Sequence, residues 1–190
     1  MHFGELGNVS FLRPNYAKAV ADVIKELGGK PFLTDCNTLY PGSRKNALEH
    51  LQCAWENGFT AMTVGCPILI GDGLKGTDDI EVPVEGGEYI KSAKIGRAIM
   101  DADIFISLSH FKGHETTGFG GAIKNMSIGI ASSGGKAWIH SAGKTKGDPW
   151  GNLPPQDDFL ESMAEAAKAV ADHCGDKILY ISVANNSVSY

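Results

Sequence analysis

Ile104-Phe105-Ile106-Ser107-Leu108 runs directly into Ser109-His110-Phe111-Lys112-Gly113-His114-Glu115-Thr116-Thr117-Gly118-Phe119-Gly120-Gly121-Ala122-Ile123-Lys124-Asn125, and the fold is read from this junction. The apolar run predicts a buried strand over 102–108 that empties into a polar, glycine-rich loop. In open α/β sheets the loops at the carboxyl ends of strands diverge and leave a crevice for ligands. Three of the six histidines, His110, His114 and His140, lie within this region, together with Lys112, Lys124 and Lys136. A packed core does not need that mixture, so the chain reads as an enzyme or a cofactor binder. The plainer reading is a surface loop with glycines for turning and solvated lysines.

Working outward, Pro14 to Leu27 carries Ala17, Val20, Ala21, Ile24 and Leu27 at helical spacing and stops at Gly28-Gly29, which predicts an amphipathic helix. Lys30 to Asp35 reads as a short strand. Ser43 is placed to cap a second helix running to about Asn57, and Ala61 to Val64 supplies the next strand. Strands alternating with helices of this length indicate βαβ units. The expected fold is therefore α/β, a mainly parallel or mixed sheet with flanking helices and the His/Gly-rich loop at its strand carboxyl ends. Between Gly65 and Glu88, glycines and prolines break up Ile68–Ile70 and Ile80–Val84, which reads as a hairpin-like excursion. Helices are expected over 89–100 and starting at Gly121, a long loop over 132–155, a further helix over 159–173 and a last strand over 177–183. His2-Phe3-Gly4-Glu5 looks like the close of a strand, and the chain reads as one α/β domain over 1–190 that is a segment of something larger.

Composition narrows the function classes. With 43% hydrophobic and 21% charged residues, the 190 residues suit a single globular domain. The net charge of −5 argues against a general nucleic-acid or anionic-membrane surface, while leaving room for a local basic pocket that takes a small anionic ligand. No apolar run reaches the roughly 20 residues of a bilayer span, and the first residues lack a signal-peptide pattern; no membrane partner and a cytoplasmic location are expected. Cys36, Cys53, Cys66 and Cys174 are scattered without a Cys-x-x-Cys pair, so an iron–sulfur cluster is not supported by this chain.

Neutral imidazoles ligate transition metals and carry protons near neutral pH. His110 and His114 are therefore candidates for acid/base work, and His114 and His140 for metal binding. Gly118, Gly120 and Gly121 ahead of a helix offer backbone N–H groups to a phosphate or carboxylate, although the spacing matches neither the dinucleotide fingerprint nor the P-loop. Lys124 is read as a buried reactive amine, as the charge that neutralises a bound anion, or as a surface lysine starting a helix. Lys112 and Asp72 join the cofactor-binding candidates, Asp72 with the alternative of a simple Asp-Gly turn, and so does Arg44, whose fork suits a carboxylate but also solvent. Asp35, at the end of an earlier strand, is expected at the same crevice. His2, His50 and His173 have no supporting context.

These elements together resemble a known group. Phe32-Leu33-Thr34-Asp35, Tyr40-Pro41-Gly42-Ser43-Arg44, Asp72-Gly73, Ser109 to His114, Gly118 to Asn125, and Gly135-Lys136 through His140-Ser141 look like the uncharacterised "iron–sulfur centre" proteins, a family of unknown function. The resemblance implies that relatives carry a ferredoxin-like insertion where this chain has a shortened connection over 143–156 without cysteine, and it implies a ferredoxin-type redox partner as an alternative role. More distantly, His114, Gly118-Phe119-Gly120-Gly121, Lys124 and His140 are similar in order to the lactate racemase superfamily. That likeness implies a nickel-pincer nucleotide anchored by Lys124, a metal ligated by His140, and His110 or His114 moving a proton or hydride. The function expected is a metal- or anionic-cofactor-binding enzyme-like domain, racemase-like, acting next to a carboxylate; the alternative is an iron–sulfur redox accessory domain lacking its cluster module.

Overall fold

A computed structural model describes residues 1–185, and Asn186 to Tyr190 lie outside the described residues. The architecture is mixed α/β. Its frame is two parallel strand pairs, β1 (Leu33–Asp35) with β2 (Ile68–Ile70), and β5 (Phe105–His110) with β8 (Ile178–Val183). Two antiparallel pairs complete the strands: β3 (Asp79–Pro83) with β4 (Ser92–Gly96), and β6 (Lys112–His114) with β7 (Gly118–Gly120).

Helix α1 (Pro14–Glu26) starts on a proline, whose missing N–H costs nothing in the first turn, and ends at Gly28, which takes φ of +85°. Helix α2 (Ala47–Glu56) is capped by Asn46, whose side chain accepts from the N–H groups of Leu48 and Glu49, both at 3.1 Å. The expected cap, Ser43, instead gives its peptide N–H to Glu5. Helix α7 (Gln156–Cys174) buries Met163, Ala166, Ala167 and Val170 on the spacing read from the sequence.

Several expectations fail in the middle of the chain. Ala61–Val64 is a helical turn, α3, because Thr60 and Thr63 cap it reciprocally and Gly65 closes it at φ +75°. The strand partner of β1 is Ile68–Ile70, so only the second half of the 65–88 segment forms a hairpin, and it does so with β4. The region 89–100 is not a helix. Ala93 and Ile95 are buried while Lys94 points outward, a period of two that defines β4, followed by a single turn, α4 (Arg97–Met100).

After α5 (Ala122–Lys124) the chain widens into a π-helical turn over Asn125–Gly129, a feature that recurs beside functional sites. The expected loop over 132–155 contains a helix, α6 (Ser133–His140), capped by Ser132. Gly134 and Gly135 hide it from a propensity argument, yet Gly135 is required there: a Cβ would stand 2.3 Å from the carbonyl oxygen of Lys94, so packing against β4 overrides the weak helical preference. Two hydrophobic cores result. One gathers β3, β4, α6 and α7 around Ile90, Ile95, Ile139 and Val170; the other gathers α1 and α3 with Phe3, Phe59 and Leu108.

Candidate functional site

The carboxyl ends of β1 and β5 open into a cavity of about 390 Å³ whose lining includes Asp35, Arg44, Lys112, His114 and Lys124. The β6–β7 hairpin grows out of the end of β5. Because side chains alternate along a strand, Lys112 and His114 leave β6 on the same face, and both line the cavity. Gly118 turns the hairpin with φ of +72°, a conformation that side chains rarely adopt. The pairing of Lys112 with Gly120 and of His114 with Gly118 places these glycines in a ladder. The expected anion cradle at a helix start is therefore absent: α5 has three residues, and of the three glycines Gly120 and Gly121 line the cavity.

Lys124 follows immediately and its Nζ meets Nε2 of His114. The other imidazole nitrogen settles the direction of that contact. Nδ1 of His114 accepts the peptide N–H groups of Thr116, at 3.2 Å, and Thr117, at 3.3 Å. A neutral imidazole with Nδ1 as acceptor carries its proton on Nε2, so in that tautomer His114 donates and Lys124 accepts once its ammonium has lost a proton. Burial, and then the charge of Lys112, pulls the Lys124 ammonium down to about 8, and burial followed by Lys124 lowers His114. Among the described residues no carboxylate lies within ion-pair distance of Lys112 or Lys124. Asn125, at the start of the π-helical turn, holds this wall to β5 by donating to Ser107 Oγ at 3.2 Å.

The opposite wall has the same kinds of residue in a different state. Arg44 is 4% exposed, with Nε 3.1 Å from Glu5 and Nη1 3.5 Å from Asp35. His50, fully buried, places Nε2 3.4 Å from Asp35 and Nδ1 3.4 Å from Asn37. Burial alone would raise the Asp35 carboxyl, but His50 and Arg44 hold it far below the usual carboxylate range. Asp72, wholly buried, accepts from the Asn37 peptide at 3.0 Å and its amide at 2.9 Å, and burial raises it. It is a brace behind the cavity and does not line it.

His50 and Glu5 were not picked out from the sequence. The signal for His50 was available: Ala47, His50, Cys53 and Ala54 share the buried face of α2, and a histidine on such a face needs a polar partner. His110 ends β5 and lines the cavity. His140, by contrast, donates from Nδ1 to the carbonyl of Lys136 at 2.7 Å and stacks on Phe159 at 5.1 Å, outside the lining of the cavity. Among the described residues no three His, Cys, Asp or Glu side chains converge on one point, so the set does not fit a metal centre of its own and no chemical step is routed through one. Cys36, Cys53 and Cys66 are buried apart from one another.

A family model described as a domain of unknown function, DUF362, matches residues 1–189. The chain belongs to the DUF362 family. The DUF362 chain is also 28% identical over 172 residues to a thylakoid-associated protein of Synechocystis sp., an alignment covering 87% of this chain and 44% of that one. The DUF362 chain therefore spans less than half the length of that relative. Among its described residues no helix is long and apolar enough to cross a membrane.

Proposed function

We propose that the 390 Å³ cavity binds a small anionic ligand, with a carboxylate as its recognised group, and that the His114–Lys124 pair moves a proton at the neighbouring carbon. The observation that carries this reading is the contact of Lys124, whose ammonium is lowered to about 8, with His114 in the same cavity wall as Lys112. In an acidic chain, two half-buried cations without a carboxylate partner are costly unless an anion joins them. Lys112 attracts the carboxylate. The Lys124 amine takes the proton from the carbon, and once protonated it no longer accepts from His114, whose Nε2–H becomes available to the oxygen where negative charge develops.

The likeness to the iron–sulfur centre proteins and to the lactate racemase superfamily agrees with this reading through the order of His114, the glycines and Lys124, and with Lys124 as the contact for an anionic cofactor such as a pincer-type nucleotide. Only the proton step is assigned to residues here. Incubation in D2O with a panel of 2-hydroxy, 2-oxo and 2-amino acids, followed by proton NMR, tests it. One class should lose its signal at the carbon beside the carboxylate, and Lys124→Met should slow the loss by about 100-fold or more. A panel in which nothing exchanges, and nothing binds by calorimetry, would end the proposal.

A further inference from the structure

The two parallel strand pairs do not pair with each other. Between β1 and β5 lies a second cavity, about 560 Å³, with mostly apolar walls. Val20 of α1 lines it together with Ile99 and Ile130, and Leu33, Thr34 and Ile106 come from the two strand edges.

The peptide groups on both edges show what the space is shaped for. On β1 the Leu33 N–H donates to Pro67 and the Asp35 carbonyl accepts from Gly71, each at 2.9 Å. In a parallel ladder successive residues face opposite sides, so Thr34 faces the cavity. On β5 the Phe105 N–H donates toward β8, to Lys177 at 2.9 Å, so Ile106 and Leu108 face the cavity from the other side. An extended chain laid between them would find a row of partners on each flank.

Residues 1–3 already lie along the β1 edge. The Met1 nitrogen donates to the Thr34 carbonyl at 2.8 Å, and the Phe3 N–H reaches the Asp35 carboxylate at 3.4 Å. Ascending numbers meet ascending numbers, so the direction is parallel. The Met1 amine is also buried, and burial lowers its pKa.

We propose that this slot seats a central parallel strand, an extended apolar peptide segment, giving a five-stranded sheet in the order β2, β1, inserted strand, β5, β8. At roughly 3.3 Å per residue, about four or five residues fill the flanked length. Met1 and Leu108 line both cavities, so the strand would end at the floor of the candidate site, where open parallel sheets hold their ligands.

The test appends to Met1 a five-residue segment of valine and isoleucine, with a control in which two of the five are proline and cannot donate. Amide exchange at Thr34, Ile106 and Leu108 and the thermal midpoint are measured. The apolar extension should slow exchange at these amides by about 100-fold and raise the midpoint by roughly 10 °C, and the proline control should do neither. The same pentapeptide, acetylated and added in trans, should protect the same three amides, which keeps the test alive if the fusion aggregates. Unchanged exchange with both the fusion and the free peptide would overturn the proposal. So would concentration-dependent protection of these amides in the unextended chain, accompanied by dimerisation in sedimentation, since the occupant would then be a second copy.

Discussion

The two walls of the candidate site use the same residue types to opposite ends. On the α2 side, Arg44 pairs with Glu5 and Asp35, His50 lies beside Asp35, and Arg44, His50 and Asp35 are buried. On the hairpin side, Lys112, His114 and Lys124 line the cavity, His114 in contact with Lys124, and among the described residues no carboxylate stands within ion-pair distance of either lysine. A buried charge with a full set of partners is a structural brace. A cluster of partly buried cations without ion-pair partners suits an anion, and this difference, more than the presence of histidines and lysines, is what favours the hairpin wall in the proposed function.

Mutations can break the contrast, and the largest effect is expected on the compensated side. Asp35→Ala leaves Arg44 and His50 buried without their shared carboxylate and should cost about 3–5 kcal/mol in urea unfolding. The wild-type protein should show the matching pH dependence. Asp35 is held below its ordinary value of 3.8, so its contribution is complete above that pH and is lost as pH falls below it. A variant as stable as wild type would mean that the cluster is not a brace.

The uncompensated side should respond with the opposite sign. The folded Lys124 loses its proton near 8 while an unfolded lysine keeps it to 10.5. Between those values the unfolded chain binds more protons, so the stability contributed at this position rises with pH. Lys124→Met should therefore raise stability at pH 7, where the buried ammonium is a cost, and flatten the rise above pH 8, while anion binding falls. A large loss of stability at neutral pH would place Lys124 with the braces.

The smallest effect is expected at the hairpin turn. Gly118→Ala forces a side chain into φ of +72° where nothing crowds the added carbon, so the cost is backbone strain alone, about 1 kcal/mol. Ligand affinity should drop more than stability does, because Lys112 and His114 are aimed by that hairpin; parallel losses would show that the hairpin carries no ligand.

Elements with one dominant signal were legible in the chain. Pro14 and Gly28 bracket α1, the apolar stripe of α7 repeats over five turns, and the run at 104–108 falls in β5 apart from the exposed Ile104. The middle of the chain was not, because its signals are short and shared. Ala61–Val64 suits a strand as well as a helix until Thr60 and Thr63 are seen to cap each other, and Ala93 and Ile95 sit inside a segment with equal claim to helical spacing. The site divided in the same way. Lys112, His114 and Lys124 stood out as a group, whereas Glu5 and His50 did not, since their partners lie 39 and 15 positions away in sequence.

By itself the sequence determined the α/β class, the helices with strong caps and apolar faces, and the block of His, Gly and Lys at the end of β5, because each depends on residues within a few positions of one another. Only the tertiary structure decided which charges are compensated, that His140 packs on Phe159 away from the cavity, that Gly135 builds a helix, and that an apolar slot separates β1 from β5. Those outcomes depend on which surfaces meet across the fold. Burial and long-range pairing are properties of the packed chain, and the same lysine or histidine becomes a brace or a reactive group according to what packing leaves beside it.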